Sequence, residues 1–141
     1  MKDLLLLALV ILGGALLLRL ARRILTPAQP RPEAQTAPWT TLTAQEAKKR
    51  LDEAPGIILL DVRTQAEYDG GHIPGAVCLP VETFGDGELT VLLPDKQAEI
   101  FVYCRSGRRS AQAARLLTDQ GYTAVTDFGG ILDWPYETTR E

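Results

Sequence analysis

The sequence predicts a small α/β domain: a mainly parallel sheet flanked by helices. Three observations predict it. Short apolar or β-branched runs alternate with helical patterns from about residue 43 onward. One such run, Ile57-Ile58-Leu59-Leu60, is apolar at every position, as a strand covered on both faces requires. Finally, Phe101-Val102-Tyr103 leads into a tight polar loop opening on Cys104, and then into a helix. That order places a thiol at the C-terminal end of a strand, where reactive loops gather in sheets of this kind.

Each element has its own local signal. Thr43-Ala44-Gln45-Glu46 has the capping-box spacing, so a helix is predicted over Ala44–Glu53 with Ala47 and Leu51 on one face. Pro55-Gly56 ends it. The strand Ile57–Leu60 follows, with Asp61-Val62-Arg63 at its C-terminal end. Thr64 caps a short helix, Gln65–Tyr68, and Gly70 to Gly75 form a loop. Ala76–Leu79 is a second short strand, stopped by Pro80. Between Val81 and Pro94, the apolar residues Phe84, Leu89, Val91, Leu92 and Leu93 predict short packed helical turns. Glu99–Tyr103 is the strand before the cysteine. Ser110–Gly121 is a helix with Ala111, Ala114 and Leu116 or Leu117 inward, and Gly121 as its stop. Thr123–Phe128 is the last strand. Gly129-Gly130 then turns into a final short helix, Ile131–Tyr136, and Phe128 and Trp134 are expected in the core.

Upstream, Leu4 to Leu18 carries no polar side chain. As an N-terminal apolar helix, this run would be roughly 22 Å long at about 1.5 Å per residue. That is short of a hydrocarbon core of about 30 Å, but Lys2 and Arg19 can snorkel and Leu20 to Leu25 stay apolar on balance. We read residues 1–25 as a membrane anchor, single-pass. A cleaved signal peptide with an exported domain is the rival reading. Arg19, Arg22 and Arg23 follow the apolar run and place the catalytic domain on the cytoplasmic side of the cell membrane. Residues 26–37 are proline-rich and read as a linker, so the folded domain is expected over 38–141.

Charge sharpens the picture. The first 36 of the 141 residues carry a net +3, and the remainder a net −6. An acidic body argues against a nucleic-acid partner. Three of its basic residues, Arg105, Arg108 and Arg109, nevertheless lie within five positions of Cys104. A local positive site on an acidic body suits a small anion. Cys78 and Cys104 are the only cysteines, and no C-x-x-C pair exists, so no metal site is expected. No cofactor is expected either, since the chain has no Walker loop and no G-x-G-x-x-G. An activated loop thiol makes a poor structural disulfide partner, which points to a reducing compartment. At the mouth of a helix, backbone N–H groups lack helical partners. Their partial positive charge, with the three arginines, favours thiolate over thiol at Cys104. Cys78, in an apolar strand, is expected to be inert.

Taken together and in this order, several motifs resemble the single-domain rhodanese family. They are Leu60-Asp61-Val62-Arg63, Glu67-Tyr68, Gly71-His72-Ile73-Pro74-Gly75-Ala76, Tyr103-Cys104-Arg105-Ser106-Gly107-Arg108-Arg109-Ser110, and Gly129-Gly130 with Trp134. The resemblance runs from about Pro38 to the C-terminus. It implies a sulfurtransferase in which Cys104 takes sulfane sulfur as a persulfide from thiosulfate or a protein persulfide donor. That sulfur then passes to a thiophilic acceptor, small or protein. In that setting, backbone N–H groups of residues 105 to 109 would hold the persulfide anion, with Gly107 supplying a positive φ. Ser106 and Ser110 could donate hydroxyls to sulfur; Ser110 reads equally well as a helix-start residue. Arg105 and Arg109 are candidates for binding an anionic donor, with Arg108 behind them. Asp61 and Arg63 resemble a strand-end ion pair that orders the loops, with Glu67 as a third member. His72 reads as a hydrogen-bonded loop residue rather than a general base.

Two other function classes stand beside this one. Dual-specificity phosphatases of the cell-cycle type and some arsenate reductases share the architecture but resemble C-x5-R. Here the sixth residue after Cys104 is Ser110, and the arginine comes one earlier. A shorter loop fits one sulfur atom better than a tetrahedral phosphate. The third class is a non-catalytic membrane-tethered binding module of the same fold, which would need neither the thiol nor its arginines.

Overall fold

The computed structural model describes residues 38–141. Its strands are β1 (Thr40–Thr41), β2 (Ile58–Asp61), β3 (Val77–Cys78), β4 (Glu99–Cys104) and β5 (Ala124–Gly130). Its α-helices are α1 (Ala44–Glu53), α2 (Gln65–Asp69), α3 (Glu88–Leu92) and α4 (Arg108–Asp119). Two 3-10 turns, Val81–Thr83 and Ile131–Asp133, complete the chain. The sheet order is β1-β5-β4-β2-β3 and every pairing is parallel. The predicted α/β class is therefore observed. The expected anchor, residues 1–25, and the linker, 26–37, lie outside the described residues. Among the described residues, no helix is long and apolar enough to cross a membrane.

Strand periodicity builds two cores. On β4, Ile100, Val102 and Cys104 face one layer, with Leu60, Ala113, Ala114, Leu117 and Val125. Phe101 and Tyr103 face the other, with Ala44, Ala47, Leu59, Phe128 and Trp134. The central strands are thus covered on both sides, which is why β2 needs an unbroken apolar run.

Local capping sets the helix starts. Thr43 and Glu46 form a reciprocal capping box, and α1 spans the predicted Ala44–Glu53. Thr64 and Glu67 form a second one and start α2.

Some expectations need correction. β1 was not expected; it pairs Thr40 with Thr126 and Thr41 with Asp127 on the far edge. Helix α4 begins at Arg108, two residues earlier than predicted, because Gly107 at φ +101° forms its N-cap. Ala113 faces inward beside Ala114, and Ala111, expected inward, is only half-buried. Gly129 and Gly130 belong to β5, and the last helix is only the 3-10 turn Ile131–Asp133. In the 81–94 segment, Phe84, Leu89 and Leu93 are buried, but Val91 is 84% exposed and Leu92 40%.

Candidate active site

β4 delivers Cys104 to the C-terminal edge of the sheet, where the chain turns through Arg105, Ser106 and Gly107 into α4. Gly107 adopts a left-handed φ of +101°, which L side chains rarely take. That conformation aims its N–H at Cys104 Sγ, 3.0 Å away. The thiol lies 3.7 Å from Ser110 Oγ. Ser110 is fully buried on the first turn of α4, and its hydroxyl lies within reach of the carbonyls of Gly107 (3.0 Å) and Gly129 (3.2 Å). A hydroxyl has one hydrogen, so it donates to one carbonyl and turns a lone pair to the thiol. If the sulfur ionises, the same hydroxyl can rotate to donate to it.

Cys104 is buried to 1% exposure. Burial pushes its pKa up, yet the net shift is downward from the usual thiol value. The Ser110 backbone and hydroxyl, with the Gly107 and Ser106 N–H groups, outweigh the burial. Thus the main forces lowering the thiol pKa are hydrogen bonds, where the sequence reading gave the arginines a share. Cys78 goes the other way. Burial first, then the Asp61 charge, push it up to about 11, so it stays a thiol at neutral pH.

The predicted strand-end pair forms a buried clamp. Arg63 Nε lies 2.9 Å from Asp61 Oδ1, and Nη2 lies 2.6 Å from Oδ2. The same Nη2 donates to Gly71 O at 2.7 Å, tying down the 70–75 loop. Tyr103 OH donates to Asp61 Oδ2 at 2.7 Å and accepts from Ile73 N–H at 3.1 Å. With the carboxylate and guanidinium both satisfied, this network orders loops beside the cysteine. His72 is buried, its Nδ1 lies 2.9 Å from Tyr68 O and its Nε2 3.1 Å from Glu141 O, and its ring stacks on Tyr68. The expected loop role fits that placement.

Glu67 does not join the Asp61–Arg63 clamp by a direct bond, as the sequence reading expected. It pairs with Arg109 instead, at 2.7 and 2.8 Å. Arg109 is therefore engaged, while Arg105, Ser106 and Arg108 are exposed around the cysteine loop.

One contributor, Asp127, has no counterpart in the sequence reading, and another, Gly130, stands there only as part of the Gly129-Gly130 motif. Asp127, near the end of β5, is buried, and its Oδ1 accepts the Gly129 N–H at 2.9 Å. Burial raises its pKa, against the bond from Gly129. A charged residue inside an otherwise β-branched and aromatic run was the available signal. Gly130 packs directly under the loop: an added Cβ would sit 2.2 Å from Arg105 O. Nothing local in the sequence announces that contact.

Comparisons with known proteins agree with this architecture. The family described as Rhodanese-like domain matches residues 43–136. A probable adenylyltransferase/sulfurtransferase of Mycobacterium tuberculosis is 36% identical over 102 residues, 72% of this chain. The match spans only 26% of that relative's length. The thiosulfate sulfurtransferase of Escherichia coli is 36% identical over 74 residues, covering 52% of this chain and 70% of its own. Among solved structures, the rhodanese-like domain of an Anabaena protein superposes with a TM-score of 0.63 at 32% identity. It covers 72% of this chain and 78% of that one.

Proposed function

The chain belongs to the rhodanese-like family, and on that premise we propose that it is a sulfurtransferase working through a Cys104 persulfide. Relatives named as sulfurtransferases support sulfur transfer at the level of the family. The observation that carries the reading for this chain is the Gly107 N–H aimed at Cys104 Sγ at 3.0 Å, in a cradle that lowers the thiol pKa.

The steps balance as follows. The Cys104 thiolate attacks the outer sulfur of thiosulfate. The new S–S bond forms as the donor's S–S bond breaks, and its electron pair leaves with sulfite. Cys104 now carries a persulfide anion, which the N–H groups of the 105–110 segment can stabilise as they would an oxyanion. An acceptor nucleophile then attacks the terminal sulfur, and the bonding pair returns to Cys104 as thiolate. Ser106 and Ser110 lie beside the sulfur path, and Arg105 and Arg108 offer exposed positive charge to an approaching anion. Asp61 and Arg63 hold the surrounding loops. A protein persulfide serves the same chemistry as donor, and a protein thiol as acceptor.

Residues 4–18 would tether this activity to a membrane, with the domain on the cytoplasmic side; export after signal cleavage is the alternative. A reporter fused after Glu141 tests orientation, and activity only on the exported side would reverse it.

The functional test is thiosulfate-to-cyanide transfer by the full chain, beside Cys104→Ser. Turnover that vanishes in the variant supports the reading. No turnover and no sulfur uptake by folded protein would leave the non-catalytic binding module as the better account.

A further inference from the structure

The three arginines of the cysteine loop are not equivalent. Among the described residues, Arg105 and Arg108 make no ion pair, whereas Arg109 is gripped by both oxygens of Glu67. Such a fork-to-fork bond fixes geometry as well as charge. Glu67 is itself fixed. Its Oε2 accepts the backbone N–H and the hydroxyl of Thr64, each at 3.0 Å. Thr64 follows Arg63, which is clamped on the buried Asp61. The carboxylate therefore cannot swing aside at little cost when a second anion arrives. The Arg109 bond holds its pKa down at about 2, so it is charged at any working pH.

Arg109 lies on the first turn of α4, between Gly107, whose N–H points at the sulfur, and Ser110, whose hydroxyl lies 3.7 Å from it. Of the negative groups around the Arg109 guanidinium, Glu67 acts most strongly, followed by Cys104 and Glu82. It is thus a loop arginine beside the sulfur-binding turn, and the one already engaged.

We infer that Glu67 is a specificity-determining residue: it occupies the donor atoms of Arg109 and tilts the site away from dianionic sulfur donors toward donors carrying less charge. The inference rests on Cys104 being the sulfur acceptor. A donor such as thiosulfate, with two negative charges, must either displace a clamped carboxylate or sit beside it. A donor with one charge, such as the persulfide of a thiol, meets less repulsion from the same carboxylate. Anion recognition then falls on Arg105, Arg108 and the backbone N–H groups.

Glu67→Gln is the direct test, because glutamine at this position retains the capping interaction with Thr64. The probes are thiosulfate and methanethiosulfonate, which differ chiefly by one charge. Sulfur uptake is read on the full chain by intact mass, and KM from initial rates at several salt concentrations. The variant should lower KM for thiosulfate about fivefold, the upper end for a partly exposed charge pair. It should raise the preference for thiosulfate over methanethiosulfonate by a similar factor and steepen the salt dependence. The same change made on an Arg109→Gln background should lose most of that gain, since no guanidinium is left to free. This double-variant comparison, read against Arg109→Gln alone, removes both charges and checks that the gain runs through the freed guanidinium. An unchanged or reduced thiosulfate preference, in protein that still takes up sulfur, overturns the inference alone. No sulfur uptake by the parent from either probe overturns the functional reading and the inference with it.

Discussion

Gly130→Ala should break the sulfur cradle without altering any group that donates to sulfur. A Cβ built at Gly130 would lie 2.2 Å from Arg105 O, 2.6 Å from Arg105 C and 2.6 Å from Ser106 Cα. Ordinary contact begins at 3.4 Å, so about an ångström must be found. Every atom it meets is backbone, so no side chain can rotate away. Either the end of β5 or the 105–107 turn has to move. Overfilling of this kind costs about 1–3 kcal/mol. For a domain near 100 residues, that is a fall in Tm of about 5–20 °C. If the turn moves, the 3.0 Å bond from Gly107 N–H to Cys104 Sγ lengthens, and the thiol pKa rises. A misplacement of about 1 Å costs on the order of a hundredfold in rate. The assays are a thermal melt, the pH dependence of Cys104 alkylation, and the rate of sulfur uptake from thiosulfate. Gly75→Ala is the control. Gly75 has a positive φ, +84°, whereas Gly130 is extended at −123°, and nothing lies within 4 Å of the Cβ added at Gly75. It should lose about 1 kcal/mol to backbone strain and keep its rate. A Gly130→Ala protein with parental Tm, thiol pKa and rate would refute the packing argument. A lower Tm with an unchanged thiol pKa and rate would show that β5 absorbs the clash and that the cradle does not depend on it.

Ser110→Ala should raise the pH at which Cys104 alkylates, since the Ser110 hydroxyl is among the groups that lower the thiol pKa; a midpoint that stays put would contradict this. It should also lower stability by about 1 kcal/mol through the lost bond to Gly107 O or Gly129 O. Limited alkylation of the native chain at pH 7 should label Cys104 and spare Cys78, whose pKa is pushed up to about 11; peptide mapping reads this directly. Glu67 predicts a pH effect on stability. Its folded pKa is depressed from 4.5 to about 2, chiefly by the Arg109 bond. The stability it contributes is therefore full above pH 4.5 and is lost as pH falls toward and through 2. Denaturant melts across that window should show a steeper loss in the parent than in Glu67→Gln, and parallel curves would contradict the assignment.

What was legible in the sequence was local. The capping box Thr43–Glu46 marked the start of α1 and Pro55-Gly56 its end, and the apolar run at 57–60 announced a doubly covered strand. The cysteine at the end of Phe101-Val102-Tyr103 marked the candidate site because strand, turn and helix signals are contiguous there. The Asp61–Arg63 clamp was expected from the family resemblance rather than from local pattern. What was not legible depends on distant parts of the chain. Glu67 finds Arg109 forty-two residues away rather than the nearer Arg63, because α2 and the start of α4 meet only in the folded sheet. For Ser110 the sequence supports a sulfur-facing hydroxyl and a helix start equally; with Gly107 as the N-cap, the helix starts at Arg108 and Ser110 sits on its first turn, 3.7 Å from the sulfur. Asp127 and Gly130 lie on β5, and their importance comes from packing against the β4–α4 turn. Val91 is exposed: apolar character alone does not say which side of a five-residue helix faces the core.

The most direct test of the central claim is intact mass spectrometry of the thiosulfate-treated full chain, with the added mass located by peptide mapping. A gain of one sulfur atom on Cys104 is expected, absent in Cys104→Ser and removed by adding cyanide or a thiol acceptor. No sulfur on Cys104 of folded protein, or a sulfur carried instead by Cys78, would contradict it.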